Sequence, residues 1–359
     1  MLERAWGLIQ QIRHNRQGKR LPPRYLTYIV SFACNARCIM CDSWKKPGTN
    51  ELTLDEIEGI FRQLPRLDAV RLTGGEPFVR KDLGEIMALA EQHLKPLAIH
   101  ITSNGFLTGR IVELCEQRRK RLPLHLLISL DGVEAKHNQI RGIDTAWKKT
   151  LATLETLATR QRALNLKLGV NQTIVDEGGL DHYRQLREQL RPMGVQHHAV
   201  MAYETSATYS TETAVDVAPT NPGEFHTPEP IGEPVLRELL TEIQQDLTKL
   251  PLLERIAKRY YWRGIGERLL HGRGSPNPPC VALNSHLRLY PDGRVPTCQF
   301  NSHTVGSLRE QSFQELWYGD AAQAQRQWVQ RCAGCWAECE VLPNAVYSGD
   351  LLKQAIRLG

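Results

Sequence analysis

Six short runs of aliphatic and β-branched residues punctuate the first 200 positions: Leu26–Ala33, Ala69–Thr73, Leu97–Thr102, Leu124–Leu130, Leu166–Val175 and Val195–Val200. Runs of this length read as buried strands rather than helices. Between them, apolar residues recur at helical spacing. Thr53 and Glu56 form a capping-box pattern ahead of Ile57, Ile60, Phe61 and Leu64, and Asp82 with Glu85 repeats it before Ile86 and Leu89. Further helices are expected at Thr108–Arg118, Thr145–Ala163 and Gly179–Leu190. Six strand–helix units in series predict a parallel α/β sheet, open or closed into a barrel. In such folds the chemistry sits at the C-terminal ends of the strands.

The alternation stops near residue 200. Tyr203–Pro234 is rich in Thr, Ser, Pro and Glu and reads as a connector or lid, followed by helical stretches at Pro234–Leu250 and Leu253–Leu270. Gly272–Pro279 breaks the pattern again. The last segment holds five cysteines, a Pro291-Asp292-Gly293 turn and a helix start at Ser312–Trp317. The expected organisation is a basic amphipathic segment (1–25), a barrel (26–202), a connector with helices (203–274), a small cysteine module (275–342) and a tail (343–359). Within the first segment Leu2, Ala5, Trp6, Ile9 and Ile12 recur at helical spacing, a face expected to pack on the body, with membrane-surface contact as the alternative. The basic cluster Arg13, His14, Arg16, Lys19, Arg20 and Arg24 reads as a solvated arm or as a docking site for an acidic partner.

Composition narrows the class. Of 359 residues 41% are hydrophobic and 23% charged, enough for a sizeable core. The net charge of +6 is too small to imply nucleic-acid binding. No apolar run approaches the about 20 residues that span a bilayer, and the start lacks a signal-peptide pattern, so a soluble, cytoplasmic protein is expected. Nine cysteines, eight of them in two groups, point to metal or redox chemistry rather than disulfides.

The first group, Cys34-x3-Cys38-x2-Cys41, follows directly on the first strand. Three thiolates on one loop suit three irons of a [4Fe–4S] cluster with the fourth left open. A three-ligand zinc site with an open position is the competing reading. The second strand runs into Gly74-Gly75-Glu76-Pro77, the third ends in Thr102-Ser103-Asn104-Gly105, the fourth in Ser129, and His137–Gly142 contains Arg141. This set resembles the radical S-adenosylmethionine (SAM) enzymes. The resemblance implies a partial (β/α)6 TIM-like barrel and a [4Fe–4S] cluster on Cys34, Cys38 and Cys41. It also implies SAM bound by Met40, Gly74, Gly75, Glu76, Pro77, Ser103, Asn104, Ser129 and Arg141. Glu76 would meet the methionine ammonium and Arg141 the carboxylate. The implied chemistry is reductive cleavage of SAM to a 5′-deoxyadenosyl radical that removes a hydrogen atom from substrate. A flavodoxin- or ferredoxin-type reductant would supply the electron.

The second group resembles the SPASM/twitch extension of the same family. Cys280 and Cys298 bracket a glycine turn, and Cys332-x2-Cys335-x3-Cys339 follows. Five cysteines fit one auxiliary [4Fe–4S] cluster, with Cys280, Cys298 and Cys335 as ligands and Cys332 or Cys339 as the fourth; zinc is the alternative. Cys115 lies on an apolar helix face and reads as core. Of His197 and His198, one would point into the barrel, and Tyr203 and Glu204 are candidates to touch substrate. The leading expectation is dehydrogenation of a small molecule such as an amino-sugar or cyclitol. The alternatives are modification of a ribosomally made peptide, a lipid-linked substrate, or a metal-binding scaffold that is no enzyme.

Overall fold

A computed structural model of the protein describes residues 2–203, 207–210 and 229–358. Much of the expected connector, Glu204 included, lies outside the described residues. Seven strands form one parallel sheet: β1 (Tyr25–Ser31), β2 (Ala69–Gly74), β3 (Ala98–Ser103), β4 (Leu124–Ser129), β5 (Leu166–Ile174), β6 (Gln196–Met201) and β7 (His286–Leu289). Their order is β6-β5-β4-β3-β2-β1-β7. The fold is therefore α/β, a partial barrel. Six strands match the aliphatic runs to within two residues at either end. The seventh comes from the cysteine module and pairs parallel to β1 through Tyr25↔His286 and Tyr28↔Leu289. Module and barrel thus share a sheet. A two-stranded antiparallel pair, β8 (Arg294–Pro296) and β9 (Thr304–Ser307), completes the module.

Helices cover one face of the sheet. Leu26, Tyr28, Val70, Leu72, Ile99, Ile101, Leu124, Leu126 and Leu168 are buried against them in a single core that also holds Cys115. The opposite face behaves differently. Along β2 and β3 every second residue stays partly exposed, and β4 and β5 alternate similarly. A closed eight-stranded barrel fills its interior with side chains; this partial barrel is hollow. Helices Glu233–Leu247 and Leu252–His271 stand beyond β6 and bury Leu236, Leu239, Ile243 and Ile265 against Ile174, Ala199 and Met201.

Two local expectations are corrected. Thr53 caps its helix with the full reciprocal pair, but Asp82 makes no side-chain cap. The Asp82 carboxylate instead accepts from Arg80 Nε at 2.7 Å. The N-terminal helix Leu2–Arg16 packs through another face than its apolar spacing suggests. Trp6 and Ile9 are 62% and 56% exposed, whereas Gln11 is buried and donates to Ser285 Oγ at 2.8 Å. Nor is the basic cluster a free arm. Arg24 grips Asp68 through two bonds of 2.7 and 2.8 Å, and Arg16 and Arg20 donate to the carbonyls of Ser348 and Tyr318. No helix among the described residues is long and apolar enough to cross a membrane.

Candidate active site

The site forms where β1 to β5 end. The chain leaving β1 carries Cys34, Cys38 and Cys41 on a loop pinned from two sides. Arg37 N–H donates to Arg141 O at 2.9 Å and Ile39 N–H to Ile140 O at 3.0 Å. On the other side Asn35 Oδ1 accepts from Asn104 Nδ2 at 2.6 Å. Each thiol sulfur meets one donor at 3.4 Å: Ala36 N–H at Cys34, Arg141 Nη1 at Cys38 and Ser43 N–H at Cys41. Burial pushes the Cys34 thiol up to about 12 and the Cys41 thiol to about 11. Three thiols on one short loop that each accept a hydrogen bond suit the thiolate ligands of an iron–sulfur cluster, whose properties such bonds tune.

All three cysteines line one cavity with Met40, Gly74, Gly75, Ser103, Asn104, Ser129 and Arg141. Thr73, Thr102, Thr173 and Trp44 also face it. Thr102 belongs to the motif that ends the third strand; nothing local marked Thr73, Thr173 and Trp44, whose place follows from strand register and loop path. Glu76 and Pro77 do not line the cavity. The Glu76 carboxylate lies behind it and accepts from Ser103 Oγ (2.9 Å), Asn104 N–H (2.7 Å) and Phe78 N–H (3.1 Å). The expected Glu76 contact to a ligand ammonium is thus corrected to a bracing role between strand ends. Burial raises this carboxyl to about 7. The two glycines also serve the protein first. A Cβ on Gly74 would stand 2.2 Å from Ser31 O, and one on Gly75 would stand 2.4 Å from both Phe32 O and Ala33 O. The cysteine loop therefore seats directly on this turn, held by Gly75 N–H to Ser31 O and Glu76 N–H to Ala33 O, both 2.9 Å.

Arg141 reaches the cavity from the helix Ala135–Arg141, with its Nε 2.6 Å from Asp131 Oδ2. Asp131 Oδ1 accepts from Thr173 N–H at 2.9 Å. His137 supports the same corner. Its Nδ1 accepts from Asp131 N–H at 3.1 Å, which places the ring proton on Nε2, toward Thr150 Oγ1. Burial lowers His137 to about 4, so it is neutral.

In the module, Cys280 and Cys332 line a common cavity of about 500 Å³. Burial raises the Cys280 and Cys298 thiols, with Cys298 and Cys332 adding to the effect at Cys280. Cys335 feels Cys280, Cys298 and Cys339. Cys339 donates to Gln299 Oε1 at 2.9 Å. The same Oε1 accepts from Arg288 Nη2 at 3.3 Å, and Gln299 Nε2 donates to Tyr203 Oη at 2.8 Å. Tyr203 is therefore held at the seam between barrel and module, its ring centroid 5.5 Å from that of Phe300. His198 points into the barrel, where it is buried and neutral. His197 points outward, stacked on Tyr183 at 4.6 Å and 3.1 Å from Gln172 Oε1.

A parallel partial barrel with three thiols at the end of β1, a glycine turn at β2 and a second group of thiols in a module joined to the sheet is the arrangement expected of an iron–sulfur enzyme of radical chemistry. Comparison with known proteins agrees: residues 28–170 match the radical SAM superfamily, and residues 280–336 match an iron–sulfur cluster-binding domain, SPASM. The chain thus carries a radical SAM domain and a SPASM domain, which imply SAM, a [4Fe–4S] cluster and an auxiliary cluster as cofactors. Two relatives from Methanosarcina barkeri align over most of the chain. An AdoMet-dependent heme synthase is 25% identical over 302 residues, 82% of this chain and 82% of that protein. An Fe-coproporphyrin III synthase is 25% identical over 331 residues, 85% of this chain and 79% of that protein. Streptococcus suis SuiB bound to S-adenosylmethionine shares the fold, with a TM-score of 0.59 at 15% identity over 86% of this chain and 68% of that one.

Proposed function

We propose that the chain oxidises a small organic molecule held in the barrel hollow, by hydrogen-atom abstraction and loss of a second electron toward the C-terminal module. The observation that carries this is the partly exposed inner face of the sheet. It opens on the thiol cavity at one end, and the module's Gln299 and Arg288 border it. When bound, SAM and the first cluster supply a 5′-deoxyadenosyl radical, with a flavodoxin- or ferredoxin-type protein as electron source. The chain's own residues do the positioning. Arg141, held by Asp131, presents a guanidinium to a carboxylate of the cofactor. Gly74, Gly75, Ser103, Asn104 and Ser129 supply polar edges, and Met40 an apolar one. In the module we assign Cys280, Cys298, Cys332 and Cys335 as the ligands. Cys332 shares a cavity with Cys280, whereas Cys339 turns toward Gln299.

The names of the two M. barkeri relatives both denote small molecules, which supports this class over a peptide. Within that class the hollow argues against an amino-sugar. Among the described residues the carboxylates of Glu338 and Glu340 are taken by Lys258 and Arg288, which leaves them no free charge for a cationic substrate.

The test is release of 5′-deoxyadenosine by anaerobically reconstituted protein given SAM and dithionite, with a Cys34/Cys38/Cys41→Ala triple variant as control. Release by wild type alone is expected, enhanced by a true substrate. Equal release by the triple variant would end the reading.

A further inference from the structure

Two arginines face the hollow at one level. Thr27 on β1 pairs in register with Arg71 on β2 and with Arg288 on β7. Their surroundings differ. Arg288 donates to Glu340 and to Gln299 Oε1, and Glu340 is also 3.4 Å from His286 Nδ1. Arg71 has no such partner. Its Nε is shut off from water, yet no acceptor meets it, and among the described residues no carboxylate lies within ion-pair distance. The carboxylate whose charge it feels, Glu338, is bonded to Lys258, and Arg288 adds a like charge. His100, in register beside Arg71, and His125 stack with centroids 4.5 Å apart, both neutral through burial. Beyond them Lys167 adds a cation in register with His125.

Arg71 is only half-buried, so water reaches part of its guanidinium, but its Nε is left without a partner, a cost that a bound oxyanion would relieve. Arg71 sits three residues before Gly74, deeper along β2 than the thiol cavity, so its partner would lie in the hollow where substrate is proposed to bind.

We propose that Arg71 holds an oxyanion of the substrate, a carboxylate or a phosphate, and so selects anionic substrates; this rests on the small-molecule reading above. The planar fork of a guanidinium suits both groups. The test needs no turnover. Anaerobically reconstituted holoprotein with SAM and without reductant is titrated calorimetrically with glutarate, with inorganic phosphate and with 1,5-diaminopentane. One of the two oxyanions should bind saturably, which identifies the group, and the diamine should not. Arg71→Gln should weaken the oxyanion at least about tenfold and Arg71→Lys by less, since an ammonium keeps the charge but loses the fork. Iron content and melting temperature of both variants establish that they fold. Should Arg71→Gln fail to fold, the Arg71→Lys loss and the probe preference decide. Unchanged oxyanion affinity in the folded variants, preference for the diamine, or no saturable oxyanion binding would overturn the proposal. So would variants that shift the reduction potential of the auxiliary cluster while binding oxyanion normally, since Arg71 would then only balance cluster charge. Because 5′-deoxyadenosine release by wild type is measured separately, either claim can fail alone.

Discussion

The rim of the barrel and its hollow treat polar groups in opposite ways. At the rim the charged and amide side chains are held by others: Glu76 accepts three hydrogen bonds, Asp131 clasps Arg141, and Asn104 bridges to Asn35. A few residues deeper, Arg71 has no side-chain hydrogen bond or ion pair among the described residues. On the proposed reading the rim groups serve a cofactor of fixed shape, so preorganisation favours binding by sparing the ordering cost. The hollow would then leave valences open for a substrate that comes and goes.

The largest expected effect breaks the rim outright. Cys34→Ala should drop 5′-deoxyadenosine release to background and remove about half of the bound iron, one cluster of two, since thiolate is the cluster's ligand. Iron assay and chromatography check this together. Retention of full iron with normal release would show that the first loop holds no cluster.

Next in size is a contrast between the two arginines. Arg288→Gln strands Glu340, whose carboxyl Arg288 and His286 hold down at about 2. Breaking such a buried pair costs about 3–5 kcal/mol. Arg71→Gln removes a half-buried charge with no ion-pair partner among the described residues, so it should change stability by less than about 1 kcal/mol. Denaturation midpoints of the two anaerobic variants measure the gap. Equal losses would mean that Arg71 has a protein partner after all.

How legible this was in the sequence depended on range. The strands were readable because their helix-facing positions, such as Val70, Leu72, Ile99, Ile101, Leu124 and Leu126, are aliphatic. The Cys34, Cys38 and Cys41 loop and the Thr53 cap were readable because their partners lie within a few residues. Features set by distant partners were not. Asp82 resembles a cap, but Arg80 captures it. His286–Leu289 is too short to announce that it extends the barrel beside β1. Asn35 matters only because the fold brings Asn104 to it. Arg71 is one arginine in a strand, and its lack of a partner is a property of the assembled hollow. The Glu76 reading failed for the same reason: the motif marked a site, but Ser103 and Asn104 had to be placed before its carboxylate could be assigned.

A third, smaller effect probes how firmly the rim is braced. Burial raises Glu76 to about 7 although three donors face it. Its folded-state value therefore lies above the unfolded one, and the folded chain keeps this proton longer. Its stability contribution is greatest below about pH 4.5 and declines as pH rises toward 7, by of order 3 kcal/mol for a shift of this size. Glu76→Gln cannot titrate. Its melting-temperature profile should lack that decline, while its amide, facing donors, lowers stability at pH 4.5 by about 1–3 kcal/mol. Parallel profiles for variant and wild type across pH 4.5–7 would show that Glu76 does not titrate there.

The smallest effect tests the N-terminal helix, far from both regions. Its apolar residues at Trp6 and Ile9 face outward, while Leu8 packs beside Tyr25, Val281 and Tyr347 and Gln11 bonds Ser285. The helix therefore clamps the base of β1 and the turn before β7, the two strands that join barrel to module. Trp6→Ala and Ile9→Ala should each move stability by no more than about 0.5 kcal/mol, the range of ordinary surface changes. Leu8→Ala, which opens a gap against three buried side chains, should cost about 1–2 kcal/mol, less than a fully buried leucine because Leu8 is only partly covered. Thermal melts of the three variants rank them. A larger loss for Trp6→Ala than for Leu8→Ala would mean that the outward face is covered in solution, by a second copy or another partner.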